Sequence, residues 1–243
     1  MNPDHDRPSA FPETRWSLIV RAARREGTDD LEPLSELCRI YWPPVYAYVR
    51  SLGHTTHDAE DLTQGFFAAF LERNDFARAD PERGRLRSYL LTSVKHYLIN
   101  ARRHAGREKR GGQAVHFSLD LSDAEERWAA VAVADRQSPD VLYDRQWATT
   151  LLEQVIAHLE AGYRERGKGG LFARLKPCLM RSDAPGELAG AAQDLGMSET
   201  AVRVAIHRLR QRYAAALREA VADTLSEGED VERELDYLKT VFG

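Results

Sequence analysis

The chain reads as all α-helical, and three observations carry that reading. Apolar residues recur at three- and four-residue spacing in each long segment. Nowhere do apolar and polar residues alternate at the two-residue period of a strand. Helix-start and helix-stop chemistry punctuates the segments, with Thr55, Ser138-Pro139-Asp140 and Ser198 at starts and Gly53, Gly167 and Gly196 at stops.

Taken in order, residues 1–12 form a disordered lead-in without an apolar core. Thr14 to Arg25 places Trp16, Ile19, Val20 and Ala23 on one helical face, and Leu31 to Tyr41 makes a second helix. Pro43-Pro44 is a break or the start of a helix that carries Val45, Tyr48 and Leu52 to Gly53. From Asp58 to Arg73, Ala59, Leu62, Phe66 and Phe70 fall at i, i+3, i+7 and i+11, one buried stripe. The loop 74–87 contains Asp80-Pro81-Glu82-Arg83-Gly84-Arg85, turn chemistry with basic side chains. Next, Leu86, Leu90, Val94, Leu98 and Ala101 form the buried side of a helix reaching His104.

Gly111-Gly112 opens an acidic linker over 111–137, with a short helix expected over Asp123–Ala134 around Trp128. A long helix then starts at Ser138-Pro139-Asp140 and runs through Trp147, Val155 and Leu159 to about Arg166. Gly167 to Gly170 ends it. Leu171 to Met180 is a short helix bent at Pro177, and Asp183 to Gly186 is a turn. Glu187 to Arg210 has the grammar of a helix-turn-helix. Leu188, Ala192 and Leu195 are its first buried set, Gly196 the turn, Met197 the plug and Ser198 the cap. Val202, Ile206, Leu209 and Tyr213 form the second buried set. An acidic tail closes the chain, with Val231, Leu235, Leu238 and Phe242 at i, i+4, i+7 and i+11.

The chain has 243 residues, enough for two modest domains. Charged residues make up 30%, and no apolar run reaches the roughly 20 residues of a membrane span. Cys38 and Cys178 lie far apart in apolar contexts, so they read as core residues in a reducing compartment, and a cytoplasmic location is expected. His54 and His57 stand in a loop without His-Glu-x-x-His or Cys-x-x-Cys spacing, so no metal and no cofactor is expected. No nucleophile–base arrangement points to an enzyme.

The net charge of -4 conceals segregation. Residues 78–110 hold ten Lys/Arg against three acids, and 203–218 hold five Arg and no acid. Residues 111–160 and 219–243 each balance to -6. Two basic blocks set apart by acidic ones predict two contacts with a polyanion. Along 86–104, Tyr89, His96, Asn100 and Arg103 share a stripe, with Lys95 and Arg102 adding charge. Rings beside cations suit unstacked bases and phosphates; the same residues also suit an ordinary core edge with a solvated face. In the helix-turn-helix, Arg203, His207 and Arg210 share the outward face near Ser198, Thr200 and Arg208, a pattern that fits a major groove. Asp58, Glu60, Asp61 and Gln64 crowd the start of the 58–73 helix, where carboxylates either complement the helix dipole or dock a basic partner.

Together the two units resemble the sigma-70 family, in particular its short extracytoplasmic-function (ECF) members. Asp58-Ala-Glu-Asp-Leu-Thr-Gln64 is similar to the hallmark of region 2.2, Arg83 to Arg103 to regions 2.3 and 2.4, and Leu195 to Arg210 to region 4.2. The resemblance implies a region 2 bundle over 13–110, a flexible acidic linker over 111–137, a region 4 helix-turn-helix over 138–222 and an acidic extension over 223–243. It implies a subunit that directs core RNA polymerase to promoters, with the β′ clamp and β flap regions as partners. Asp58, Glu60, Asp61 and Gln64 then dock polymerase. Tyr89, Lys95, His96, Asn100, Arg102 and Arg103 bind the melted -10 element, and Ser198, Thr200, Arg203, His207, Arg208 and Arg210 bind the -35 element. An anti-sigma factor or another regulator is the further partner implied. Tyr89, His96, Tyr97 and Asn100 depart from residues common in ECF members, as does Ala205. The rival readings are a helix-turn-helix regulator that works without polymerase and a metal-dependent nucleic-acid hydrolase using Asp58, Glu60, Asp61 and the nearby histidines.

Overall fold

Two consecutive prolines fail to interrupt the first helix. In a computed structural model, α1 runs through Glu32–Ser51 with Pro43 and Pro44 inside it. An interior proline removes a backbone donor and crowds the turn before it, at a cost of about 3 kcal/mol. Burial offsets that cost, because Tyr41, Trp42, Val45 and Tyr46 around the pair are all but inaccessible to solvent. The helix persists because the core holds it on nearly every side, which no local spacing rule registers.

The structure describes residues 32–80, 84–105, 125–129, 138–179, 186–225 and 228–242. After α1 come α2 (Thr56–Glu72), a 3₁₀ turn (Asp75–Arg78) and α3 (Leu86–Ala105). Then follow α4 (Pro139–Glu165), α5 (Gly169–Leu175) with a 3₁₀ turn (Lys176–Leu179), α6 (Glu187–Leu195), α7 (Glu199–Ala222) and α8 (Val231–Thr240). Residues 125–129 form one further helical turn. No strand occurs among the described residues, so the fold class is all-α. The expected helix over Thr14–Arg25, the lead-in and most of the linker lie outside those residues.

Two compact units result. One has its described residues within Leu152–Ala220, the other within Glu13–Leu151 and Val221–Gly243. The division therefore falls inside α4, whereas the sequence places it at 137/138. The first half of α4 joins α1–α3 because its aromatic residues are buried there. Tyr143 donates to the Arg87 carbonyl at 3.1 Å and meets Tyr48 edge-on, and Trp147 carries the Arg87 guanidinium 4.6 Å above its ring.

Aromatic packing on α2 organises this larger unit. Phe66, Phe67 and Phe70 are fully buried; Trp42 stacks on Phe67 at 5.6 Å and Phe76 meets Phe70 at 4.6 Å. The buried face consists of Ala59, Thr63, Phe66, Phe67 and Phe70, so it lies slightly around the helix from the expected stripe. Leu62 sits at its edge, half-exposed. The buried side of α3 follows the sequence pattern closely, with Leu86, Leu90, Val94 and Leu98 enclosed.

The tail also belongs to this unit. Leu235 and Leu238 of the expected stripe are buried, as are Glu234 and Val241, while Phe242 is exposed. Glu234 pairs with Arg87 and with Arg85, Tyr237 donates to Asp144, and Arg145 donates to the Val241 carbonyl at 2.6 Å. The acidic tail thus pairs with arginines at the start of α3.

In the smaller unit, two helix ends are closed as glycine placement predicts. Gly167 (φ +68°) and Gly196 (φ +61°) take the left-handed conformation. At the first, Lys168 N donates to the Tyr163 carbonyl at 2.8 Å, and at the second, Met197 N donates to the Ala192 carbonyl at 2.9 Å. These are the bonds of a Schellman motif. Ser198 caps α7 by accepting from Ala201 N at 3.2 Å. Val202, Ile206 and Leu209 are buried as expected, and Tyr163 packs on Phe172.

Gly65 lets Tyr97 of α3 lie close against α2, because a methyl group there would run into the Tyr97 hydroxyl. Gly65→Ala should lower stability by about 1–3 kcal/mol, the usual cost of overpacking. Tyr97→Phe in the same chain should recover much of the loss, measured as the shift in thermal midpoint of the double variant against each single one.

Candidate functional site

The keel of α2 leaves its opposite side free for charge. Thr55 caps the helix, its hydroxyl oxygen accepting from Asp58 N at 3.2 Å while the hydroxyl donates to Asp58 Oδ2 at 2.8 Å. Asp58 and Asp61 are exposed, and Glu60 and Gln64 are half-exposed. His57 Nε2 lies 3.7 Å from Asp61 Oδ2 at the surface. All four sequence-predicted docking residues therefore stand on one short stretch of a helix anchored by buried phenylalanines.

A groove of about 580 Å³ runs between α1, α2 and α3. Asp58 and Asp61 form one lip, Lys95 and Arg102 the other, and Leu52 and Ile99 expose apolar surface between them. The structure thus brings together two residue sets that the sequence assigns to different partners. Among the described residues, no group of three or more His, Cys, Asp or Glu could hold a metal ion. Cys38 and Cys178 are buried and unbridged, and burial pushes the Cys38 thiol up to about 12.

On α3 the predicted nucleic-acid residues divide. His96, Asn100, Arg102 and Arg103 are exposed. Lys95 is tied to Asp140 at 2.7 Å and lies 5.9 Å from the Tyr48 ring centre. An exposed pair of this kind contributes at most about 1 kcal/mol, so the lysine is readily released to another anion. Tyr89 faces inward: its hydroxyl donates to the Asp75 carbonyl at 2.9 Å and its ring meets Phe70. Burial raises its pKa above the ordinary tyrosine value, as it does for Tyr97.

Part of the expected linker is fixed against this unit. Arg50 forks onto Glu125, its Nε on Oε2 at 3.0 Å and Nη2 on Oε1 at 2.8 Å. Tyr46 donates to the same carboxylate, and Thr56 Oγ1 lies 3.4 Å away at the start of α2. The Arg50 hydrogen bonds hold the Glu125 carboxyl below the usual carboxylate range, and Trp128 lies 5.8 Å from the same guanidinium. Neither Arg50 nor Glu125 stood out in the sequence. A lone arginine at a helix end and one acid of many in a linker carry no spacing signal.

In the smaller unit, Ser198, Thr200, Arg203, His207 and Arg208 are exposed along α7. Arg210 is half-buried and donates twice to the Cys178 carbonyl, at 3.1 and 2.8 Å. It closes the 3₁₀ turn after α5, a use that the outward-face pattern does not reveal. Val204, on the same face as Thr200 and Arg208, exposes an apolar side chain that the sequence reading passed over.

With these positions established, the comparison with known families falls on the larger unit. Residues 37–108 match the Sigma-70 region 2 family model. The match takes in most of α1 and all of α2 and α3, with the acidic cluster, the groove and the cationic end of α3 inside it. It supports a member of the sigma-70 family. No curated protein and no solved structure matches the chain. The helix-turn-helix lies outside the matched segment.

The depressed pKa of Glu125 makes the 125–129 anchor acid-labile. A folded-state pKa below the unfolded value gives stability that is complete above the unfolded value and is lost as pH falls through the folded one. Protection of the 125–129 amides, taken relative to their intrinsic exchange rate at each pH, should therefore hold from neutrality down to about pH 4.5, the ordinary glutamate value, and fall below it. In Glu125→Gln that protection should be lower at neutral pH and show no such acid step.

Proposed function

We propose that this chain is an ECF-type sigma factor: it binds core RNA polymerase, brings it to promoters and assists melting without any covalent chemistry of its own. The observation that carries the reading is the exposed carboxylate face of α2 on a buried aromatic keel, within the segment that matches Sigma-70 region 2. Such a face retains its charge while the helix stays rigid, which suits a basic partner surface such as the polymerase β′ clamp. The exposed His96, Asn100, Arg102 and Arg103 then meet the melted -10 strand as it leaves the duplex, with Lys95 freed from Asp140 to join them. Tyr89 acts from the core edge and needs its Asp75 contact broken to stack on a base.

In this reading α7 enters the major groove of the -35 element. Thr200, Arg203, His207 and Arg208 face the bases and phosphates, Ser198 fixes the start of the helix, and Arg210 keeps the preceding turn in place. The β flap is the counterpart expected for this unit. An anti-sigma factor would compete for the same charged and apolar groove. No helix among the described residues is long and apolar enough to cross a membrane, and the work assigned to the chain is done beside DNA in the cytoplasm.

Charge reversal tests the docking face without touching the core. Asp58→Lys with Asp61→Lys should weaken co-purification with core RNA polymerase by about tenfold or more, while helix content stays that of the wild type. Undiminished co-purification would remove the reading. On the DNA side, Arg203→Ala in the reconstituted holoenzyme should lower discrimination at one -35 position by about 1–3 kcal/mol, read from binding to single-base promoter variants.

A further inference from the structure

We propose that Arg85 and Arg87 form a phosphate site for a nucleic-acid strand, and that α8 occupies it in the free protein with Glu234 in place of the phosphate. The proposal rests on the reading of the chain as a promoter-binding subunit and adds to it a contact that the protein covers with its own tail. Three observations point to it.

First, Glu234 has 0% of its surface exposed, yet both carboxylate oxygens are engaged by arginine. Arg87 Nη1 donates to Oε1, and Arg85 Nη1 lies 2.5 Å from Oε2 as an ion pair without hydrogen-bond alignment. Glu229 brings a second carboxylate to Arg85 Nε at 3.0 Å. A phosphodiester presents the same pair of acceptor oxygens to a guanidinium fork as a carboxylate does. Second, the Arg87 guanidinium lies 4.6 Å from the Trp147 ring centre and 5.3 Å from that of Tyr237. Tyr237 comes from the tail, so departure of α8 uncovers a cation while Trp147 and Asp144 still orient it.

Third, the position of Arg85 identifies the ligand as a strand. Its carbonyl accepts from Ser88 N and Tyr89 N at 3.1 Å, so it is in register with α3. Arg85, Thr92, His96 and Arg103 then fall at i, i+7, i+11 and i+18 on one stripe, the last three exposed. At 1.5 Å per residue Arg85 and Arg103 are about 27 Å apart, the span of about eight nucleotides at 3.4 Å each. A free phosphate ion needs only one end of that stripe, whereas a polynucleotide uses both. The tail covers the Arg85 end. Residues 226–243 hold six Asp/Glu against Arg233 and Lys239, a composition suited to keeping that end away from nucleic acid until a partner displaces it.

The test uses the full chain and its Glu234→Ala variant, which adds no charge of its own. Hydrogen exchange over 231–240 reports the tail. Anisotropy of a fluorescein-labelled single-stranded oligonucleotide, measured over a salt series, reports the site. In Glu234→Ala the α8 amides should lose protection while those of α1–α3 keep theirs. Oligonucleotide affinity should rise about tenfold, and the salt slope should steepen by about 0.7, the value for one phosphate neutralised on a single strand. Adding Arg85→Ala should return about half of that slope. Glu229→Ala, a milder change at a half-exposed residue, should shift affinity in the same direction by less, and it serves if Glu234→Ala does not fold. A tail that stays protected, a released tail with unchanged affinity, or a gain undiminished by Arg85→Ala would each overturn the proposal. Co-purification of the wild-type chain with core polymerase is scored separately. Its failure refutes the polymerase reading and leaves the masked site standing, whereas an unmoved oligonucleotide affinity refutes the masked site alone.

Discussion

Most of what this protein can present to a partner depends on the burial of three phenylalanines along one side of α2. Phe66, Phe67 and Phe70 are packed between Trp42 of α1, Phe76 of the following turn and Tyr97 of α3. Each large side chain buried in this way contributes about 1.5–3 kcal/mol relative to exposure. That anchorage lets the same helix keep Asp58 and Asp61 in water without a structural partner for either carboxylate inside the core. Remove the keel and the charges lose their fixed spacing; neutralise the charges and the keel is unaffected. The separation of the two roles onto opposite faces makes the helix usable as a docking surface.

The fold class was legible because helix periodicity, caps and stops all agreed from Thr55 onward. Ser198, Gly167 and Gly196 behave in the structure as their residue types demand, since caps and left-handed turns are decided within a few residues. Pro43-Pro44 was not legible, because its outcome depends on burial from several directions at once. The face of α2 was read nearly correctly. The omission of Phe67 reflects a buried sector wider than one stripe, which appears only when helices approach from two sides. For the candidate site residues, the part legible from spacing and charge was exposure. His96, Asn100, Arg102, Arg103, Arg203 and Arg208 all point outward. Arg210 and Lys95 show what spacing omits, since a long cation can bend back to a carbonyl or a neighbouring acid from an outward position.

Charge segregation along the sequence acquires a meaning that composition alone does not give. Basic and acidic blocks suggest that the basic ones are free for a polyanion, yet two acidic segments fold onto arginines of the larger unit. Glu125 from the linker takes Arg50, and Glu229 and Glu234 from the tail take Arg85 and Arg87. These contacts differ in kind. Arg50 and Glu125 remain partly hydrated, so their pairing is weak and responsive to salt and acid. Arg87 and Glu234 are withdrawn from water almost entirely. Burial works against the charge on Arg87, and Glu234 and Asp144 more than restore it, leaving its pKa above the ordinary guanidinium value.

A buried ion pair is an expensive way to fasten a helix. Desolvating two charges costs several kcal/mol each, and a well-packed apolar pair of equal volume often holds as firmly or better. Leu235 and Leu238 already supply apolar contact on α8, so a leucine at 234 would extend a face that exists. The carboxylate differs from leucine in what it leaves behind. An apolar latch that opened would expose apolar surface with no polar use, whereas this one exposes two oriented cations that an anion can satisfy at once. Breaking the pair without a replacement is strongly unfavourable, while exchanging one anion for another is far less so. Such a contact is stable in isolation and yields readily to a competing anion.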